Sequence, residues 1–413
     1  MPRRLRIATI VPFLHIGGDE NRLLAYLAAR DADRFDHLVI CGCGASPEMD
    51  ALWGPIRHRF AALDVPLIDL GLPYGFQSPP DASPAVRQLA KIRGFRRFVQ
   101  QAARLLRERA IDVVDGRGDT GTVVAALAAR LAGTRAVVST NYFPQVKHAG
   151  PRSPAWHLFR GVYGLVDAVV CDSQTCLDAM RRWMLFAPPG RCIPNGIAPP
   201  RATRPAQEVA AELGIPDGAR VIGQIARIQP YKGQELLLAA AARVLAEVPD
   251  AFVLLCGYPS YNQEGLDHRD RLVRAIAAAG LGKRVRLAPY PGPIGDVWPL
   301  VDIHAHPTLL DSSPIALLEG MSLGKPAVTT RVGGIHELVR DGETGIVLPP
   351  GDAGPLADAL LRLLHRPEEA VRLGRNARAR HRTGYTPQVM ARRIEDLFEE
   401  VHGAPRGRVA QAA

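Results

Sequence analysis

Several features are missing or scarce in this chain, and each narrows its class. No apolar run reaches the roughly 18 residues that a membrane-spanning helix needs. Six cysteines occur among 413 residues. Cys41 and Cys43 lie one residue apart, Cys171 and Cys176 four apart, and Cys192 and Cys256 stand alone. None forms a CxxC pair or a zinc-like Cys/His grouping, so small buried thiols are expected. Aromatic residues are only 6% of the chain and are not interleaved with its basic residues, which argues against nucleic acid. There is no P-loop and no nucleophile elbow. The Asp31-Ala32-Asp33 stretch ends a helical pattern before Arg34 and makes a poor metal site. His304 and His306 alternate along a strand and are read as facing opposite ways, so no metal-binding His pair is expected. The start, MPRRLRIATIVPFL, pairs arginines with an apolar run. That run is short for a leader and lacks a small-residue cleavage site, so it reads as a first buried strand and a cytoplasmic location is expected.

What is present points to a two-domain α/β chain. Its length exceeds one ordinary core, and 47% hydrophobic with 22% charged residues is a globular composition. Strand-length apolar runs fall near Leu5–Pro12, His37–Gly42, Ile111–Asp115, Arg135–Thr140, Ala168–Asp172 and Arg191–Pro194. A second set lies near Arg220–Ala226, Phe252–Gly257, Val285–Ala288, Ile303–His306 and Ala327–Thr330. Helical periodicity fills the gaps, as over Gln234–Glu247 and Ala353–His365. Such alternation predicts parallel, doubly wound sheets. The proline-rich stretch 194–218 is the best seam, and 71–84 is a turn-rich loop. The expected division is 1–198, 199–385, a C-terminal helix over 386–402 packing back on the first domain, and a tail over 403–413. Two Rossmann-like domains would leave a cleft at the C-terminal edges of both sheets, where ligands of open α/β sheets bind.

The formal charge of +10 is concentrated in AVRQLAKIRGFRRFVQQAARLLRERA, residues 85–110, a helical pattern with eight basic residues and one acid. A solvated arginine-rich face accounts for it. That is the plainer reading; peripheral contact with an anionic membrane, or docking of an anionic acceptor, is the functional alternative.

Three stretches carry candidate chemistry. In IATIVPFLHIGGDENRLL a strand ends at Gly17-Gly18 and a helix begins; paired glycines allow close backbone approach and a helix start offers unpaired N–H groups. In VIGQIARIQPYKGQELLLAA, Arg227 and Lys232 follow the second domain's first strand and flank Pro230, so both cations can converge on one diphosphate. The third stretch covers residues 309–326. There Asp311 precedes a helix start at which Ser313 suits the N-cap and Pro314 the first helical position. The N–H groups near residues 312–316 would then face a ligand. Glu319 lies in an otherwise apolar helical stretch, IALLEGM, where an unpartnered charge is expensive. A vicinal diol such as a ribose would offset that cost, and Glu319 is expected to pair with it rather than with another residue of the chain. Gly333-Gly334 and the DGETG turn read as strand, tight loop, helix and hairpin.

In their order and spacing these stretches resemble the glycosyltransferases of family 4. GGDENRLL is similar to the family's glycine loop, and IARIQPYKGQELLLAA to its diphosphate-binding segment. Asp311-Ser312-Ser313-Pro314, continued by IALLEGMSLGKPAVTTRVGGIHELVRDGETGIVL, is similar to its Glu-x7-Glu region, and CDSQT and IPNGI to two further landmarks. The resemblance implies the GT-B fold, a nucleotide-diphosphate-sugar as co-substrate, retention of anomeric configuration, and no metal or other cofactor. By position, Arg227 and Lys232 would hold the diphosphate, Glu319 the ribose hydroxyls, and Asp311 would take the place of the first Glu. Backbone amides of Ser312, Ser313, Pro314, Ile315 and Ala316 would line sugar and phosphate, with Pro314 supplying no N–H of its own. Gly17 and Gly18 would frame donor and acceptor, and Asn141 stands where the family often has a sugar-contacting His. The acceptor is not legible. Another GT-B activity, such as an epimerase or a phosphorylase, and a non-catalytic sugar-nucleotide-binding partner fit the same motifs.

Overall fold

The computed structural model describes residues 3–14, 17–44, 56–73, 83–140, 154–260 and 263–405. The chain divides into two compact units, Met1–Gly196 with Pro387–Ala413, and Ile197–Thr386.

The first unit is built on a seven-stranded sheet in the order β3-β2-β1-β4-β5-β6-β7. Its strands are β1 Leu5–Phe13, β2 Phe35–Cys43, β3 Leu67–Asp69, β4 Val113–Arg117, β5 Arg135–Thr140, β6 Ala168–Cys171 and β7 Gly190–Cys192. Neighbouring strands pair in parallel throughout. The near-continuous apolar composition of these strands follows from burial on both faces. Alternate residues of β1 go to opposite sides: Ala8 and Ile10 join one core with Phe98, Val124 and Leu177. Ile7 and Val11 join another with Leu23, Leu27 and Phe398. That second core includes the C-terminal helix Pro387–Gly403, whose Met390, Ile394, Leu397 and Val401 pack there. Glu395 of this helix accepts the backbone N–H of Asp31 at 2.8 Å.

The second unit holds a six-stranded sheet in the order β10-β9-β8-β11-β12-β13. Its strands are β8 Arg220–Ile225, β9 Ala251–Cys256, β10 Val285–Ala288, β11 Ile303–His306, β12 Ala327–Thr330 and β13 Ile346–Leu348. The chain runs outward from β8 through β9 to β10, then returns to place β11 on the other side of β8. This reversal of strand order is a topological switch point, with its crevice at the C-terminal ends of β8 and β11. Two elements differ from the sequence reading. Leu67–Asp69 is an additional short strand, three half-buried residues without a periodic signal. The segment after DGETG is no hairpin, because Ile346–Leu348 pairs in parallel with β12.

All six cysteines are free thiols; Cys41, Cys171, Cys176 and Cys256 are buried. No helix among the described residues is long and apolar enough to cross a membrane.

Candidate functional site

The switch point of the second unit brings together residues far apart in sequence. The loop after β8 carries Arg227 and a short turn, Pro230–Lys232, and the loop after β11 carries Asp311–Ser313. Because β8 and β11 are neighbours, with His304 level with Gly223, the two loops touch. Tyr231 O accepts from Leu309 N at 2.7 Å and from Thr308 Oγ1 at 2.9 Å. Gly233, at φ +74, lets them close: a Cβ there would stand 1.9 Å from Pro307 O. The loop after β8 is further held by Gln224 donating to Lys232 O at 2.7 Å and Gln234 donating to Arg227 O at 2.9 Å.

The result is a preformed ion pair. Lys232 Nζ lies 2.5 Å from Asp311 Oδ2, with both side chains mostly buried. His306 Nε2 lies 3.4 Å from the same oxygen, and Ser312 N–H donates to Oδ1 at 3.1 Å. Burial by itself would raise the Asp311 pKa, but the Lys232 charge and the His306 bond outweigh it and hold the carboxyl below the usual range. His306 is pushed down by burial and by Lys232, against the opposing pull of Asp311. Arg227, in contrast, is exposed. The structure places it on the same loop as Lys232 without an ion pair to any described residue.

Asp311 leads into the helix Ile315–Leu323. Its N-cap is Pro314, in extended conformation with no capping side chain. This corrects the expected start by one residue: Pro314 caps instead of opening the helix, and Ser313 is not the cap. Proline has no N–H to donate and its fixed φ fits either place. The first N–H groups of a helix lack intrahelical acceptors, and here no side chain of the cap takes one up. Ser312 and Ser313 are buried beside this helix start.

Glu319 has a protein partner, contrary to expectation. The buried Trp298 donates its indole N–H to Glu319 Oε2 at 3.1 Å. A single neutral donor offsets little of the desolvation, and burial pushes the Glu319 carboxyl up to about 7. His304 packs edge-on against Trp298, with ring centroids 5.0 Å apart. Gly320 permits the close helix contact: a Cβ would come 3.1 Å from the Trp298 ring and 3.2 Å from His304 Nδ1.

His304 and His306 do not face opposite ways. Residues two apart in a strand share a face, and the rings sit 5.6 Å apart, both buried. They link the two carboxylate environments in space, from Glu319 through Trp298, His304 and His306 to Asp311 and Lys232. The spacing of two on a buried strand was the signal for this pair. For Trp298, 21 positions before Glu319, the sequence holds no signal. No group of three metal-ligating side chains exists among the described residues.

In the first unit, Gly18 opens the helix Gly18–Ala29, with Gly17 as N-cap in extended conformation. No atom would meet a Cβ on Gly18 within 4 Å. Asn141 lies outside the described residues. The C-terminal edge of this sheet carries a polar group that the sequence reading missed. Arg117 and Asp115, both buried at the end of β4, pair at 2.8 Å, and Ser139 donates to Asp115 at 2.9 Å. The buried Arg22 donates to Ile193 O at 2.9 Å. The alternating acid and arginine in VVDGRGD was the available signal.

Comparison with known proteins agrees with these observations. The model described as Glycosyltransferase Family 4 matches residues 21–201, and Glycosyl transferases group 1 matches 206–380. A D-inositol 3-phosphate glycosyltransferase of Corynebacterium urealyticum is 29% identical over 282 residues, 66% of this chain and 65% of the relative. Its counterpart in Nocardia farcinica is 33% identical over 228 residues, 51% and 49% of the two chains. The chain thus spans less than two thirds of the length of the curated relatives it matches. Among solved structures, Anabaena HepE in complex with UDP-glucose superposes with a TM-score of 0.78 at 21% identity, covering 96% of this chain and 100% of that one. Sucrose-phosphate synthase of Thermosynechococcus elongatus gives 0.77 at 20% identity over 97% and 100%. At these identities the likeness establishes the fold.

Proposed function

The chain belongs to the glycosyltransferases of family 4 and has their GT-B fold, and on that premise we propose that it transfers a sugar from a nucleotide-diphosphate-sugar to an acceptor hydroxyl, with retention and without metal. The observation that carries this reading is the Lys232–Asp311 pair at the switch point of the second unit, beside a helix start with no capping side chain. An ammonium and free helix N–H groups are what a diphosphate leaving group requires, because charge builds on its oxygens as the glycosidic bond breaks.

In this reading Lys232 exchanges Asp311 for the donor diphosphate, and the exposed Arg227 swings onto the same group. Asp311, held by His306 and the Ser312 N–H, is left beside the donor sugar. Glu319, once ionised, accepts the ribose hydroxyls, with Trp298 fixing one of its oxygens. Backbone groups of Ser312–Ala316 line the phosphate and sugar. From the first unit, Gly17, Gly18 and Asn141 are the counterparts of family positions that contact donor or acceptor. Departure and attack on the same face, assisted by the leaving phosphate, give retention without a protein nucleophile. The UDP-glucose bound to the HepE neighbour supports a nucleotide sugar as donor. The acceptor is a hydroxyl of a glycan, a lipid or a small-molecule scaffold.

The test is a panel of UDP-, GDP-, ADP- and dTDP-sugars, with release of free nucleotide diphosphate as readout and product anomeric configuration read by NMR. Release with a retained anomer is expected. Donor isomerisation would instead identify an epimerase, phosphate-dependent cleavage a phosphorylase, and tight binding without turnover a non-catalytic partner.

A further inference from the structure

The helix Pro84–Glu108 of the first unit has one apolar face but only part of a core to bury it in. Residues spaced by seven lie on nearly the same side of a helix. Along one such line, Ile92, Val99 and Leu106 are 56%, 7% and 1% exposed. Along another, Leu89 is 45% exposed and Ala103, two heptads on, is 2%. The inward face thus continues N-terminally past the end of the core, and the first ten residues overhang by about 15 Å. This overhang is a built helix, since Ser83 caps it by accepting Val86 N–H and Pro84 follows directly. Val86 joins Leu89 and Ile92 as a third exposed apolar side chain, at 51%.

The charge on this overhang has one sign. Arg87, Lys91, Arg93, Arg96 and Arg97 surround the three aliphatic residues, and the sole acid of the helix, Glu108, sits at its far end. Lys91, Arg93, Arg96 and Arg97 form no ion pair with any described residue; Glu108 instead takes Arg104 at 3.6 Å. Exposed aliphatic side chains ringed by cations cost free energy in water on both counts. Both terms become favourable at an anionic lipid surface, where cations meet headgroups and aliphatic side chains enter the acyl boundary. A second copy of the chain fits this patch poorly, because two such overhangs would bring like charges together on both sides.

We infer that the N-terminal half of this helix, Val86–Arg97, is a docking wedge for an anionic phospholipid bilayer. Val86, Leu89 and Ile92 insert, and Lys91, Arg93, Arg96 and Arg97 contact the headgroups. The donor site lies in the other unit, so the wedge stands or falls independently of the transfer reaction.

The experiment is co-sedimentation of the full chain with vesicles of phosphatidylcholine alone or with about a third phosphatidylglycerol. Binding at least tenfold stronger to the anionic vesicles, and weakened by added salt, is expected. Leu89→Ser/Ile92→Ser and Arg93→Glu/Arg96→Glu should each cut that binding at least fivefold. Circular dichroism melts matching the wild type would show both variants folded, as exposed substitutions should be. Equal binding to both vesicles, no binding to either, or full binding by the Leu89→Ser/Ile92→Ser variant would overturn the wedge. A dimer in sedimentation velocity that the same variant dissociates, without vesicle binding, would assign the patch to a second copy instead.

Discussion

Asp311 precedes the helix Ile315–Leu323 and Glu319 lies at its middle; both are largely withdrawn from water, yet they end in opposite electrostatic states. Asp311 shares an oxygen between Lys232 and His306 and is held below the usual carboxyl range. Glu319 has one neutral donor, Trp298, and is pushed up to about 7. The identity of the partner, more than depth, therefore sets the charge of a buried carboxylate. The contrast also separates two tasks. A carboxylate already ionised and paired can aim a cation before the ligand arrives. One poised near neutrality is completed only when a ligand brings hydroxyl donors.

The greatest loss should come from removing the cation that distinguishes the two. Lys232→Ala is expected to lower transfer by about 100-fold or more, read as nucleotide release at saturating donor; a near-wild-type rate would end the distinction at once. Glu319→Ala should cost roughly 10–100-fold, the value of hydrogen bonds to a charged group. It should do so mainly through donor KM, since the ribose contacts persist through the reaction.

The next effect is in pH. Only the ionised Glu319 can accept two hydroxyls, so donor affinity should strengthen as pH rises through about 7, and Glu319→Gln should flatten that profile. The linkage sign follows from the raised pKa. The folded state binds this proton more tightly than the unfolded one, so its stabilising contribution is complete below the ordinary value of 4.5 and is lost as pH rises towards 7. Glu319→Gln should therefore be more thermostable than wild type at alkaline pH, by on the order of 1–3 kcal/mol. For Asp311 the sign is reversed. Its depressed pKa adds stability above the usual carboxyl range that is lost in acid, so Asp311→Asn should lower Tm at neutral pH, with the deficit shrinking in thermal melts at low pH. The last expectation is of no change: EDTA should leave turnover as it was, and restoration of lost activity by Mg²⁺ would overturn the metal-free reading.

Much of the architecture was legible because burial on both faces writes parallel strands as apolar runs. Every strand except β3 and β13 was readable this way. Leu67–Asp69 was not, being too short and too exposed to carry a period. The short strand Ile346–Leu348 was legible only as an apolar run, because pairing direction depends on which strand it meets. In the site, Lys232 and Asp311 were identifiable as candidates from loop position, but nothing local indicated that they would bind each other across 79 positions. Trp298 was invisible for the same reason.

Local chemistry thus set which residues could serve: cations after β8, acids around a proline-capped helix, a basic amphipathic helix, and glycines where loops must close. Each follows from side-chain type and spacing within a few residues. Long-range packing chose which of them meet. The switch point between β8 and β11 set Lys232 against Asp311, and burial with only the Trp298 indole N–H as donor pushed the Glu319 carboxyl up. The limited extent of the first unit's core left the start of an arginine-rich helix uncovered. Those outcomes depend on strand order and on where a core ends, and a chain encodes both only through contacts between distant positions.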